Sequence, residues 1–285
     1  MRRSPFKKGA IGIKCGLRKN KSGWVQKYRC TATGKYFTVR DGFEKMKTKP
    51  EIIVDALDLR AKGLSLAKIS DFLFQKYKQK IGRDTILYWQ NKFGEKIQTF
   101  TSQFQLEFSE NTHADEMFLK KKGAQITEFI YYWAAIDYDT KFLLADHISL
   151  WREEEECKTF LKKVKKRIKK PPKYCHTDNS YDYPKPIRAV LKGTVHIHFP
   201  AWKKKFKNNP IERYFNTVRE VTKNLRKFTN ANNMLKHLQF LAVYYNFLRP
   251  HKTLCGQTPA QVAGFGTWTW WSLIKKWIII RFLID

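Results

Sequence analysis

The spacing of apolar residues changes from one stretch of the chain to the next, and those changes predict its elements. Over residues 1–45 short alternating runs are broken by glycine, and "CGLRKNKSGWVQKYRCTATGKYF" predicts two short hairpins around Cys15 and Cys30. From Pro50 the period becomes helical: Ile52, Ile53, Ala56 and Leu57 mark one face, and Gly63 ends the helix. Ser65 caps a second helix with Leu66, Ile69, Phe72 and Leu73 on its apolar face. A third begins near Asp84, with Ile86, Leu87 and Phe93 turned inward. Three short helices with a tight turn predict a helix-turn-helix unit over 46–98, and the polar, aperiodic "QTFTSQFQLEFSE" at 98–110 reads as a linker.

From about Thr112 the period shortens to that of strands. "HADEMFLKK", "EFIYYWAAIDYD" and "FLLADHIS" are β-prone runs with turns at "KKGAQ" and "YDTK", a three-stranded antiparallel meander. "REEEECKTFLKKVKKRIKK" follows as a helix with acids in its first turn and bases in its last, as the macrodipole favours, and Pro171-Pro172 stops it. A strand "KYCHTD", a helix around Ile187 to Leu191, a strand "VHIHF" and two long helices, Pro210 to about Lys227 and Asn232 to Leu248, complete the order βββ-α-β-α-β-α. That order predicts an α/β domain over 108–260 with a mixed sheet flanked by helices. Residues 261–285 read as a C-terminal amphipathic helix, because Trp271, Ile274, Ile278 and Phe282 recur at helical spacing. Lys275, Lys276 and Arg281 interrupt that tail well short of the roughly 20 apolar residues a membrane span needs.

Charge narrows the function. The formal net charge is +31, while 42% apolar and 15% aromatic residues suffice for real cores, so bases decorate folded elements. Such a field points to nucleic acid as partner. The five cysteines are odd in number and scattered, and Met1-Arg2-Arg3 is not followed by an apolar signal core; a reduced, cytoplasmic chain is expected. No G-x-x-x-x-G-K-[ST] run is present, so no nucleotide cofactor is implied.

Phosphodiester chemistry in so basic a chain needs carboxylates to hold Mg²⁺, which prefers oxygen ligands. Asp115 lies inside the first strand of the meander, Asp178 directly after the next strand of the sheet, and Glu212 in the first turn of the helix after "VHIHF". Each has a structural alternative: a solvent-face strand residue for Asp115, a turn for Asp178, and for Glu212 the capping position after Asn209 and Pro210. Three acids at comparable places in one fold pattern favour a site. Asp137 and Asp139 fit a hairpin turn, Asp146 a strand and Asp182 a loop, while Glu116 is expected on the opposite strand face from Asp115, away from the same ion. His176, His196 and His198 lack a further ligand at suitable spacing and read as structural.

"HADEMFL", "HTDNS" and "NNPIERYFNTVRE", with "YYNFLRPHKTLCGQTPAQVAG", resemble the DDE transposases of prokaryotic insertion sequences over roughly residues 50–265. The most specific features are the 33 residues between Asp178 and Glu212 and the "N-F-x-R-P-H-x-x-L-x-G-x-T-P" ending. The resemblance implies an RNase H-like core shared with retroviral integrases, and a catalytic, metal-binding triad of Asp115, Asp178 and Glu212 holding two Mg²⁺ or Mn²⁺ ions. It also implies a DNA-gripping Arg219 two helical turns after Glu212, and a homo-oligomer that brings element ends together on target DNA in the nucleoid. In the mechanism the resemblance implies, water frees a 3′-hydroxyl at the element end and that hydroxyl attacks the target strand. Arg213, Lys223 and Arg249 are expected to contact DNA beside the site, and Arg83, Thr85, Gln90 and Asn91 of the third helix to reach phosphates or base edges. His251 is expected to end a helix and pack.

The segment 1–45 resembles the zinc ribbon at the front of some related transposases. Gly12 and Thr33 stand where the partners of Cys15 and Cys30 would fall, so zinc is not expected and the segment reads as a degenerate ribbon touching DNA through Arg18, Lys19, Lys21 and Lys27. Two further readings stay open: a transposase-derived DNA-binding protein that no longer cuts, and an RNase H-like nuclease without strand transfer.

Overall fold

A computed structural model describes residues 2–4, 9–20, 23–38, 42–43, 46–120, 129–199, 209–223 and 231–276. The chain begins with a four-stranded antiparallel sheet, β1 (Arg2–Arg3), β2 (Ile11–Asn20), β3 (Gly23–Cys30) and β4 (Tyr36–Thr38), in sequential order. A bulge shifts the β2–β3 register between Lys14 and Leu17, and Gly16 takes the left-handed backbone there, at φ 76°. Along β3, Lys27 and Arg29 alternate with the buried Tyr28 and Cys30, so one face is basic and open. Lys27 Nζ lies 4.1 Å above the Tyr36 ring and Lys19 Nζ 5.9 Å from that of Trp24. Hydrogen bonds from Ser4 and then Thr33, which stands where a second ribbon thiol would fall, bring the Cys30 thiol down to about 7. Lys21 lies outside the described residues.

Three helices follow: α1 (Pro50–Ala61), α2 (Leu66–Tyr77) and α3 (Arg83–Thr101). The Ser65 side chain accepts from Lys68 N and caps α2 as expected. Helix α3 continues through Ile97, Phe100 and Thr101, all buried, well into the stretch expected as linker. Period was lost there to polar residues on its outer face, while the inward face stayed apolar. Leu106 then exchanges backbone hydrogen bonds with Arg167 and Lys169, so little of that stretch is free chain.

The second sheet has the order β7-β6-β5-β8-β9. Strands β5 (Asn111–Lys120), β6 (Phe129–Asp137) and β7 (Leu143–Ser149) form the antiparallel meander; β8 (Tyr174–Asp178) runs parallel to β5, and β9 (Val195–Phe199) parallel to β8. The turn "KKGAQ" lies outside the described residues. Asp137 closes the other turn, accepting from Thr140 N at 2.8 Å, Thr140 Oγ1 at 2.6 Å and Ser109 Oγ at 2.5 Å. Helices α4 (Glu154–Arg167) and α5 (Pro184–Val190) pack with Ala114, Trp133 and Ala135 on one side. Helices α6 (Asn209–Lys223) and α7 (Ala231–Phe247) pack with Met117, Leu119, Tyr132 and Ala134 on the other.

Helix α7 is apolar on two sides. Leu238, Leu241 and Tyr245 face the sheet, while Phe240, Val243 and Phe247 join the core of α1–α3. An added Cβ on Gly94 of α3 would stand 3.4 Å from the Phe240 ring, so the two helices meet closely. Trp270, Leu273 and Ile274 seal the same core; Ile278, Arg281 and Phe282 lie outside the described residues. Among the described residues no helix is long and apolar enough to cross a membrane.

Candidate metal and DNA site

The parallel pairing of β5 with β8 creates the site. Its last bonded pair is His113↔His176, and two residues further on the strands present Asp115 and Asp178. Asp115 shares its strand face with Met117 and Leu119, the face against which α6 packs. Helix α6 begins at Asn209 and carries an exposed Glu212 on its first turn, near enough for its charge to act on Asp115 but outside the group of acids whose oxygens come together. Burial, followed by the charges of Glu116, Asp178 and Glu212, raises the Asp115 carboxyl to about 7, while the Glu116 amide donating to Asp115 Oδ1 at 2.9 Å works the other way. One oxygen each from Asp115, Glu116 and Asp178 lies within 4.8 Å of the others. Hard carboxylate oxygens at that spacing suit Mg²⁺ or Mn²⁺, so the residues present fit a divalent cation.

Glu116 does alternate away from Asp115, as expected, yet its carboxylate still reaches the cluster. Both its oxygens are engaged. Arg152 Nη2 lies 2.6 Å from Oε1 and the Tyr183 hydroxyl donates to Oε2 at 2.6 Å. The same guanidinium reaches Asp178 Oδ2 at 3.5 Å and, through Nε, Asp182 Oδ2 at 3.1 Å. Asp178 also accepts from Ser180 N at 3.0 Å, which fixes its rotamer in the turn after β8. Asp178 is open, its side chain 47% exposed, whereas that of Glu116 is 4% exposed. Arg152, just before an acid run, gives no sequence signal beyond a helix lead-in; it is the residue the spacing of acids failed to find.

Arg213, Arg219 and Lys223 are exposed on α6, off the face of Ile211, Tyr214, Phe215 and Val218; Arg219 lies two turns after Glu212 on the same side and donates to Asn216 Oδ1 at 2.8 Å. Arg249 donates to Thr217 Oγ1 at 2.5 Å, tying the end of α7 to α6. Arg83 and Thr85 are exposed on α3 and Asn91 is half-buried. Gln90 corrects the expectation: it is 2% exposed and accepts from Arg60 Nε at 2.7 Å, so it faces the core and cannot reach DNA. Leu87, expected inward, is only half-buried.

The histidines have local partners: His176 Nε2 is 2.9 Å from Asn111 Oδ1, and His196 Nε2 is 2.8 Å from Thr177 Oγ1. The "N-F-x-R-P-H" motif supports the fold. Asn246 Oδ1 accepts from Leu143 N at 2.8 Å and its Nδ2 donates to Leu143 O at 2.9 Å, while burial pushes His251 down to about 4 beside the Tyr245 carbonyl.

A mixed five-stranded sheet with clustered acids at adjoining strands and a basic helix across them defines a metal-dependent polynucleotidyl transferase of the DDE class. Within that class, the family of IS240-type DDE transposase domains matches residues 109–251, and the chain belongs to it. Solved structures similar to this chain include the catalytic core domain of BIV integrase, at 11% identity over 54% of this chain and 93% of that one, TM-score 0.38. The HTLV-2 integrase catalytic core in complex with magnesium, in its dimeric form, gives 16% over 56% and 97%, TM-score 0.34. A simian T-cell lymphotropic virus intasome gives 11% over 73% and 74%, TM-score 0.42. Comparison with curated proteins gave no match.

Proposed function

We propose that this chain binds the ends of a mobile DNA element and catalyses Mg²⁺-dependent strand cleavage and strand transfer, with Asp115, Asp178 and Glu212 as the catalytic carboxylates. The observation that carries the reading is the convergence of Asp115 and Asp178, far apart in sequence, beside α6 in a chain of this family. Asp115, Asp178 and Glu212 would hold divalent cations, two in this reading, which would supply Lewis-acid stabilisation of charge on the phosphate oxygens.

The chain's own part is to orient the strands. Arg213, Arg219 and Lys223 line the open side of α6 and bind backbone phosphates, and Arg249 steadies that helix through Thr217. Hydrolysis breaks the P–O3′ bond at the element end, with water's oxygen joining phosphorus and the leaving oxygen taking a proton. The freed 3′-hydroxyl then displaces a 3′-oxygen of the target strand, losing its own proton, with no covalent protein intermediate. In the same reading residues 46–98 are a helix-turn-helix that recognises element ends through Arg83, Thr85 and Asn91. Residues 1–45 are a zinc-free, ribbon-like segment that adds phosphate contacts, the unit 108–260 is catalytic, and two or more copies assemble on DNA in a prokaryotic nucleoid.

The test incubates the full chain with Mg²⁺, the DNA flanking its coding sequence and a target plasmid. Strand joining that falls at least a hundredfold in Asp178→Asn is expected, with the melting temperature within a few degrees of the unaltered chain. Binding without cleavage would identify a silent DNA-binding derivative, and nicking without joining a nuclease; either overturns the reading.

A further inference from the structure

Glu116 stands in the cluster with Asp115 and Asp178, and the triad of Asp115, Asp178 and Glu212 does not account for it. Its carboxylate is nearly sealed from water, sits on the face of β5 opposite Asp115, and has both oxygens taken by Arg152 and Tyr183. Arg152, held in the connection between β7 and α4, stands between this buried acid and the open one. Its Nη2 lies 0.9 Å nearer to Glu116 than to Asp178, and Nε meets Asp182 from the far side. Nε and Nη2 are buried and meet these acids as ion pairs, so the reach of the guanidinium across three carboxylates, together with its charge, sets where it rests.

We propose that Glu116 and Arg152 form a positioning pair that sets how strongly Asp115 and Asp178 hold a cation: Glu116 draws the guanidinium off Asp178, and Arg152 keeps Glu116 out of the ligand set. The inference rests on the reading of Asp115 and Asp178 as metal ligands. A planar fork can touch Glu116 and Asp182 at once and leave Asp178 at 3.5 Å; a compact ammonium cannot span them and would settle on the most exposed carboxylate. Charge at position 152 and the shape that carries it therefore have opposite consequences for a metal.

The experiment titrates the full-length chain with Mn²⁺ alone, without DNA, and counts free Mn²⁺ by electron paramagnetic resonance. Arg152→Gln is expected to bind Mn²⁺ several-fold tighter, because the competing cation is gone and Glu116 is released toward the ion. Arg152→Lys keeps the charge and is expected to bind several-fold weaker; Glu116→Gln, which sends the guanidinium to Asp178, about tenfold weaker. Tyr183→Phe changes no charge and is expected to weaken binding a few-fold, which carries the test if Glu116→Gln does not fold. Arg152→Lys binding like the unaltered chain would reduce the pair to bulk charge, and both Arg152 variants shifting in one direction would reduce it to scaffold; either result overturns the proposal. Asp178→Asn must abolish binding in the same assay. Failure of the unaltered chain to bind Mn²⁺ would overturn the metal reading itself and this inference with it.

Discussion

A buried arginine and a half-buried one meet opposite surroundings in this chain. Arg60, in the core between α1 and α3, donates to an uncharged amide, Gln90 Oε1, and to the Leu64 carbonyl at 3.1 Å; burial brings its guanidinium down to about 10. Burial acts on Arg152 too, but Glu116, Asp178 and Asp182 outweigh it and push that guanidinium above the ordinary arginine value. A buried charge met by neutral dipoles is satisfied and stays where packing puts it. A charge among excess carboxylates leaves the cluster negative even after pairing, and a cation can complete it. The first arrangement builds architecture and the second, in the function proposed above, a binding site, although both look like an arginine with polar partners.

Removing a neutral partner is the strongest way to break that contrast. Gln90→Leu strands Arg60 in an apolar core and is expected to destabilise the chain by about 3 kcal/mol in urea unfolding, while Mn²⁺ affinity stays unchanged. A loss of Mn²⁺ binding in a folded Gln90→Leu chain would show that the two clusters are not separable.

Next in size is a pH effect confined to the acid cluster. The Asp115 carboxyl is held up to about 7 in the cation-free chain, against about 3.9 when unfolded. Between those values the folded chain keeps a proton that the unfolded chain releases. The stability this proton brings is complete below about pH 4 and is lost as the pH rises through about 7. Asp115→Asn does not titrate, so with a chelator present it is expected to exceed the unaltered chain by about 2 kcal/mol at pH 8 and to match it near pH 4. Thermal melts across that range check the sign, and an advantage that grows toward acid would refute it.

The same contrast explains what could be read along the chain. The apolar run "EFIYYWAAIDYD" predicts β6, which is buried on both faces, with Trp133 and Ala135 on one and Tyr132 and Ala134 on the other; helical spacing in "NNPIERYFNTVRE" predicts α6, which is apolar on the one face of Ile211, Tyr214 and Val218. Asp115, Asp178 and Glu212 are candidates from their places in a strand, after a strand and in the first turn of a helix, together with the motifs around them. Gln90 misled because a polar side chain on a helix counts as outward unless its buried partner is known, and Arg60 is 30 residues away. Arg152 was hidden likewise, since its three acids come from β5, the end of β8 and the turn that follows it. The Asn246 pairing with Leu143, 103 residues distant, gives the motif that carries the family resemblance a structural part that its sequence does not show. Period is a local property, while the partner of a buried polar group is set by topology.

The smallest expected effect falls on the outer face of α3, where Gln90's failure as a DNA contact narrows the candidates. Arg83 is exposed at the first turn with Thr85 beside it, and neither packs into the core that Ile86, Trp89 and Phe93 form. If this face meets DNA, Arg83 contributes one phosphate contact or one base edge. Arg83→Ala is then expected to weaken binding of flanking element DNA by roughly five- to tenfold in about 0.1 M salt. A phosphate contact lowers the salt dependence by about one ion and affects all sequences alike; a base contact leaves the slope alone and relaxes preference at one position. Fluorescence anisotropy at several salt concentrations, on element-end and scrambled duplexes, separates the two. Unchanged affinity on both duplexes would remove α3 from the DNA interface and leave recognition to the basic sheet of β2 and β3, where Lys27 and Arg29 face outward without an acid between them.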